Sequence, residues 1–221
     1  MLTTLSSEAR RLNMVNGQLR TGDVVDQAVL AAVLETPRER FVAPAFASLA
    51  YLDRDLPALG ARSRRLLPPM TRARMLQAAA VNPGERALDV GGGSGYGAAL
   101  LEAMGAKVVA LESDAGAAAA ARAELSGRSD AIVVEGPLAT GAAGLGPFDV
   151  IVVEGAFHIA PDGLFAQLAD GGRLVGIDAS TSEAPQAVLC EKAGGAISRR
   201  ALFETRADAL DGFQPETSFA F

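Results

Sequence analysis

The chain contains no tryptophan, one cysteine and one histidine in 221 residues. One thiol, Cys190, excludes an internal disulfide. One Cys with one His falls short of the ligand set of a structural zinc site. Cys190 follows Val188 and Leu189 and reads as a core residue; as a nucleophile it would need His158, the sole histidine, beside it. Aromatics are limited to two Tyr and nine Phe. Positive charge is also short, with 20 Lys and Arg against 26 Asp and Glu, a formal charge of -6. Such a chain gains little from counterion release, so nonspecific nucleic-acid binding is excluded as its function. The local exception is a basic cluster at Arg62, Arg64 and Arg65. No apolar run reaches the ~18 residues of a membrane span, and Met1 to Arg11 lacks the apolar stretch of a secretion signal. The expectation is a cytoplasmic protein with no membrane partner. No feature of the sequence sets an oligomeric state.

What is abundant is apolar and small: 49% of residues are hydrophobic and 24 are glycine. That suffices for a full core without covalent staples. Leu12, Val15 and Leu19, then Val29, Leu30, Val33 and Leu34, recur at helical spacing up to Pro37. A loop-rich, ordered connector is expected from Ala43 to Pro69, and a helix from Thr71 to Ala80. From Arg86 onward short apolar runs alternate with helices of about ten residues, which predicts a parallel sheet. The expected strands are 87–90, 107–111, 131–134, 148–153 and 172–177, with a short helix at 164–168. Ala187 to Cys190 and Ile197 to Phe203 read as an antiparallel hairpin turning at Gly194-Gly195. Phe213, Phe219 and Phe221 suggest that the C-terminal segment docks on the body. The fold class is α/β, a doubly wound, mostly parallel sheet. Residues 1–80 form a helical extension with a loop, and 81–221 the Rossmann-like part, one structural unit overall.

The segment Leu88-Asp89-Val90-Gly91-Gly92-Gly93-Ser94-Gly95-Tyr96 runs from strand through glycines into helix. Such a turn lets backbone approach a ligand closely, and the helix start adds unpaired N–H donors. Gly93-x-Gly95-x-x-Ala98 fits the looser dinucleotide pattern, so a nicotinamide cofactor stays open at this point. S-adenosylmethionine (SAM) is favoured by Asp89 near the strand end, where a carboxylate can meet its ammonium, and by the G-x-G-x-G spacing. Glu112 ends the next strand and can accept two ribose hydroxyls, which both cofactors carry.

The same loop resembles that of the protein-L-isoaspartate O-methyltransferase family, L-E-I-G-T-G-S-G-Y. The N-terminal third is similar too: Met14-Val15, Gln18-Leu19-Arg20, Val29-Leu30, Pro37-Arg38-Glu39 and Phe41-Val42 match M-V…Q-L-R…V-L…V-P-R-E-x-F-V. Ala50-Tyr51-Leu52-Asp53 with Leu56-Pro57 resembles A-Y-x-D…L-P. Segments 148–153 and 167–175 resemble the family's fourth and fifth strands, so the likeness spans roughly Met14 to Val175. The resemblance implies methyl transfer from SAM to an isoaspartyl carboxyl of a protein or peptide, leaving S-adenosyl-L-homocysteine. It implies cofactor contacts at Asp89, Gly91, Gly93, Ser94, Gly95, Tyr96, Glu112, Ser113, Gly136 and Pro137. By the same resemblance Arg65, Leu67 and Pro69 line the substrate side and Asp53 shapes the loop, while Glu154 joins them by its position at a strand end.

Three departures stand out. The family's G-x-T-I-S-Q-P loop is here Gly60 to Pro69, with Arg65 at the threonine and Leu67 at the serine. Arg64 and Arg65 could pair with a carboxylate instead. Gly136-Pro137-Leu138 replaces G-D-G, losing an adenine contact, and Glu154-Gly155-Ala156 replaces T-A-A. Glu154 at the strand end could repel an anion, act as a base or simply face solvent; His158 is a loop residue or a catalytic one. These departures motivate two alternatives, a same-lineage methyltransferase with another substrate and a non-catalytic SAM-binding module.

Overall fold

The computed structural model describes residues 5–181 and 184–215. The first residues of the polar N-terminus, and Phe219 and Phe221, lie outside the described residues. Helix α1 (Ser7–Met14) is capped by Ser6, whose hydroxyl accepts from the Ala9 amide, and continues through a π turn at Val15–Leu19. Helix α2 (Gln27–Glu35) is capped by Asp26, which accepts from Ala28 and Val29. The connector that follows is more regular than expected. Its strands β1 (Leu56–Pro57) and β2 (Arg65–Leu66) pair antiparallel, so residues 56–66 form a hairpin. Helix α3 (Pro69–Ala79) then starts with proline, which suits the first helical position.

The remaining chain builds one seven-stranded sheet. Its strands are β3 (Arg86–Val90), β4 (Lys107–Glu112), β5 (Ala131–Glu135), β6 (Phe148–Phe157), β7 (Leu168–Asp178), β8 (Gln186–Ala193) and β9 (Ala196–Glu204). They lie in the order β5-β4-β3-β6-β7-β8-β9, parallel from β5 to β7 and antiparallel at β8 and β9. Gly194 and Gly195, with φ of 56° and 81°, make the hairpin turn between β8 and β9. Helices α4 (Tyr96–Ala103), α5 (Ala115–Leu125) and α6 (Asp162–Phe165) fill the connections.

Successive residues of a strand point to opposite faces. Ala87, Val150 and Val152 accordingly pack with the N-terminal helices in one core cluster. Leu88, Val90, Ile151 and Val153 pack in a second, on the other face. Asp89 and Glu154 share the parity of the first group, so both face the N-terminal segment.

Two strand boundaries differ from expectation by four residues. Strand β6 runs four residues further, because the C-terminal segment adds to its end: Ala156 bridges Ala209, and its amide and carbonyl bond Asp208 and Leu210. Glu154 is therefore inside a strand, not at its end. Strand β7 starts at Leu168, paired with Phe148 across a register shift, which ends α6 at Phe165. Leu210 and Phe213 are buried, so the C-terminal segment docks as far as it is described.

Candidate functional site

The glycine loop joins β3 to α4 beneath the 56–66 hairpin. Gly93 has φ of +67°, and a Cβ there would lie 2.9 Å from the Ala58 methyl. Glycine is thus required twice, by conformation and by approach. Its amide donates to Glu112 Oε2 at 2.8 Å. The Ser94 hydroxyl donates to the Phe41 carbonyl, tying the loop to the N-terminal segment. Its hydroxyl is thus engaged within the protein. Tyr96 is also a buried packing residue, its ring 5.2 Å from the Arg38 guanidinium, 5.1 Å from that of Arg72 and 5.3 Å from Phe41.

Three carboxylates converge below the loop. Asp89 is buried and neither of its oxygens has a hydrogen-bond partner. Burial raises its pKa well above the carboxylate range and Glu154 adds to the rise, while Arg72 and the nearby Ala98 amide pull the other way. Glu154 and Asp89 share the space over Gly97, where any side chain would run into both. Glu154 is only 3% exposed, which corrects the solvent-facing reading. Its two oxygens each lie 3.0 Å from Arg72 Nε, and Arg72 Nη2 closes a second bond. Burial alone would lower the Arg72 pKa, but attraction and hydrogen bonding from Glu154 hold it above its ordinary value. Arg38, buried beside it, is lowered to about 10 by burial and by the charge of Arg72. Its Nη2 donates to the Leu67 carbonyl at 3.0 Å, which fixes the end of the 56–67 segment from behind.

Glu112 ends β4 as the third carboxylate. Its Oε1 accepts from the Ser113 and Asp114 amides at 2.7 and 3.1 Å, and from Arg64 Nε and Nη2 at 3.3 and 3.2 Å. Arg64 also reaches Ser113 Oγ at 3.1 Å and Asp211 at 3.3 Å. Gly136 donates its amide to the Glu112 carbonyl, and Pro137 beside it is exposed over buried Leu138. Leu210 rests on Gly91, where a Cβ would meet it at 3.0 Å.

A cavity of about 480 Å³ opens between residues 55–68 and the segment 206–211. Of the candidate substrate-side residues, Arg65, Leu67 and Glu154 line it. Pro69 and Asp53 do not: Pro69 is the buried start of α3, and Asp53 accepts from the Met70 amide at 2.9 Å, which holds the loop to that helix. Arg64 and Leu210 line the cavity and stand between it and the glycine loop. The expected basic cluster is largely neutralised, since Arg64 pairs with Glu112 and Asp211 and Arg65 with Asp55. His158 is exposed beyond the lining. Cys190 sits in β8, its thiol pushed up to about 11 by burial, and stays protonated.

Two groups of site residues were not anticipated. Arg72 carried a signal, because it lies at helical spacing from the core residues Met75, Leu76 and Ala79. A charge on an apolar helix face calls for a buried partner. The segment 206–211 carried none, since its place depends on the distant strand β6.

The family model for protein-L-isoaspartate(D-aspartate) O-methyltransferase matches residues 9–206. A protein-L-isoaspartate O-methyltransferase of Koribacter versatilis is 39% identical over 207 residues, covering 92% of this chain and 91% of the relative. One from Methylorubrum populi is 42% identical over 172 residues, covering 76% and 79%. A solved protein-L-isoaspartate O-methyltransferase superposes with a TM-score of 0.79 at 25% identity, over 94% of this chain and 66% of that one. A Plasmodium falciparum structure, solved with S-adenosyl-L-homocysteine, gives 0.79 at 19% identity over 94% and 99%, a likeness of fold. The chain belongs to the protein-L-isoaspartate O-methyltransferase family.

Proposed function

We propose that this chain transfers the SAM methyl group to the carboxylate of an isoaspartyl residue in a protein or peptide. The observation that carries this reading is the buried, unpartnered Asp89 carboxylate beside the glycine loop, with Glu112 on the neighbouring strand. A buried charge without a partner is costly, and a ligand cation at that point removes the cost. The residues present therefore fit SAM: Asp89 toward its ammonium, Glu112 toward its ribose, and Gly91, Gly93 and Gly95 at the closest backbone approach.

When bound, SAM supplies a sulfonium methyl, the electrophile of an in-line displacement. The acceptor carboxylate is ionised at neutral pH, so the chain needs no strong base for it. The protein's task is to position the acceptor and exclude water. Leu66, Leu67 and Leu210 give the cavity an apolar wall. Glu154 lines the cavity too, but its pairing with Arg72 leaves no net charge to repel an anionic acceptor. Family membership supports this reading over a changed acceptor or a non-catalytic module.

The test is incubation of an isoaspartyl peptide with methyl-labelled SAM. A methyl ester is hydrolysed by mild base, so the reading expects label on the peptide that base releases. Absence of base-labile label would overturn it.

A further inference from the structure

Arg64 has two faces in this structure. One side of its guanidinium holds Glu112, and the same residue lines the cavity. Its side chain is 8% exposed and that of Glu112 is 2% exposed, so the pair is nearly dry. Glu112 Oε1 already accepts two amides in addition to Arg64, and Oε2 accepts the Gly93 amide. A carboxylate offers about four acceptor positions. With Arg64 in place its two N–H groups and the three amides already fill those positions, and displacing Arg64 opens room for a ribose hydroxyl. Asp211, 75% exposed, steadies Arg64 from the C-terminal segment.

We propose that Arg64 is an exchange residue: cofactor ribose displaces it from Glu112, and the freed guanidinium takes the acceptor carboxylate in the cavity. This rests on the methyltransferase reading above. It gives the chain a bidentate cation beside Leu67, the residue that stands where the family's loop has its serine. Arg65, the other arginine of the 60–67 loop that lines the cavity, pairs with Asp55 instead of Glu112, so cofactor binding at Glu112 does not release it. It also sets an order of binding. The acceptor anchor becomes available once the cofactor has claimed Glu112, so the two ligands bind cooperatively. Such coupling is reciprocal by thermodynamic necessity.

The experiment is calorimetry on the full chain with S-adenosyl-L-homocysteine and an isoaspartyl peptide, separately and together. In the wild type, the peptide binds about tenfold tighter when S-adenosyl-L-homocysteine is present. In Arg64→Ala, S-adenosyl-L-homocysteine binds about tenfold tighter than to wild type, because no cation competes for Glu112. In the same variant, peptide affinity falls and no longer depends on the product. Asp211→Asn, which leaves Glu112 untouched, tightens product binding by a smaller factor. Unchanged or weaker product binding in Arg64→Ala would overturn the exchange. So would loss of peptide affinity in Arg206→Ala alone, since Arg206 also lines the cavity. A wild-type chain that does not bind the product at all fails the underlying reading instead, and circular dichroism of each variant separates both from misfolding.

Discussion

Arg72 and Glu154 form a pair in which Arg72 Nε lies 3.0 Å from both carboxylate oxygens, with both side chains 2% exposed or less. Breaking one partner of such a pair leaves a bare buried charge, at a cost of about 3–5 kcal/mol. Arg72→Leu and Glu154→Leu should each lower stability by about that amount in chemical denaturation. Arg72→Leu/Glu154→Leu together should recover most of it, since an apolar pair of similar volume is often neutral. Additive losses in the double variant would contradict the pairing.

Asp89 should be a residue whose removal stabilises the protein and weakens cofactor binding. Its pKa is raised by burial and by Glu154, so it takes up protons more readily folded than unfolded. Its contribution to stability is therefore complete below the ordinary carboxylate pKa of about 3.9 and is lost as pH rises through its raised folded value. Asp89→Asn carries no charge to bury and should be more stable near neutral pH by about 1–2 kcal/mol. Its SAM affinity should fall by about ten- to a hundredfold, the value of a charge-assisted hydrogen bond. Thermal unfolding and SAM calorimetry, run side by side, check both signs.

The same shift gives cofactor binding a pH dependence. An ammonium at Asp89 favours the ionised form and lowers its pKa, so binding expels a proton. SAM affinity should rise with pH from the carboxylate range up through the raised Asp89 value. Calorimetry in two buffers of different ionisation enthalpy measures the released proton, and Asp89→Asn should abolish it.

Gly93→Val should lose SAM binding and destabilise the fold by about 1–3 kcal/mol, for a β-branched residue at positive φ. Steric conflict with Ala58 adds to the cost. Ala99→Gly on the neighbouring helix α4 should cost about 1 kcal/mol of stability and leave SAM affinity unchanged. Loss of affinity in both variants alike would trace the effect to general loosening.

The parts of the site that follow from local pattern were legible in the sequence. The apolar runs of β3 and β4 end in Asp89-Val90 and Glu112, and parallel pairing brings the two strands together. The alternation of β6 also placed Glu154 on the Asp89 face once the strand was continued. Its continuation was hidden, because the bonds from Ala156 to Asp208 and Leu210 span over fifty positions of sequence. The engagement of Arg64 was hidden for the same reason. A loop arginine reads as solvated until Glu112, on a distant strand, is known to lie beside it. The bond of the Ser94 hydroxyl was hidden too, because its partner, the Phe41 carbonyl, belongs to a turn with no periodic signal.

Acceptor specificity is decided by comparing methyl transfer to two peptides that differ only in an isoaspartyl or an aspartyl linkage, with labelled SAM in excess. An isoaspartyl-specific enzyme turns over the isoaspartyl peptide and shows nothing above background on its aspartyl twin. Equal rates on both, or transfer to neither, would contradict the proposal.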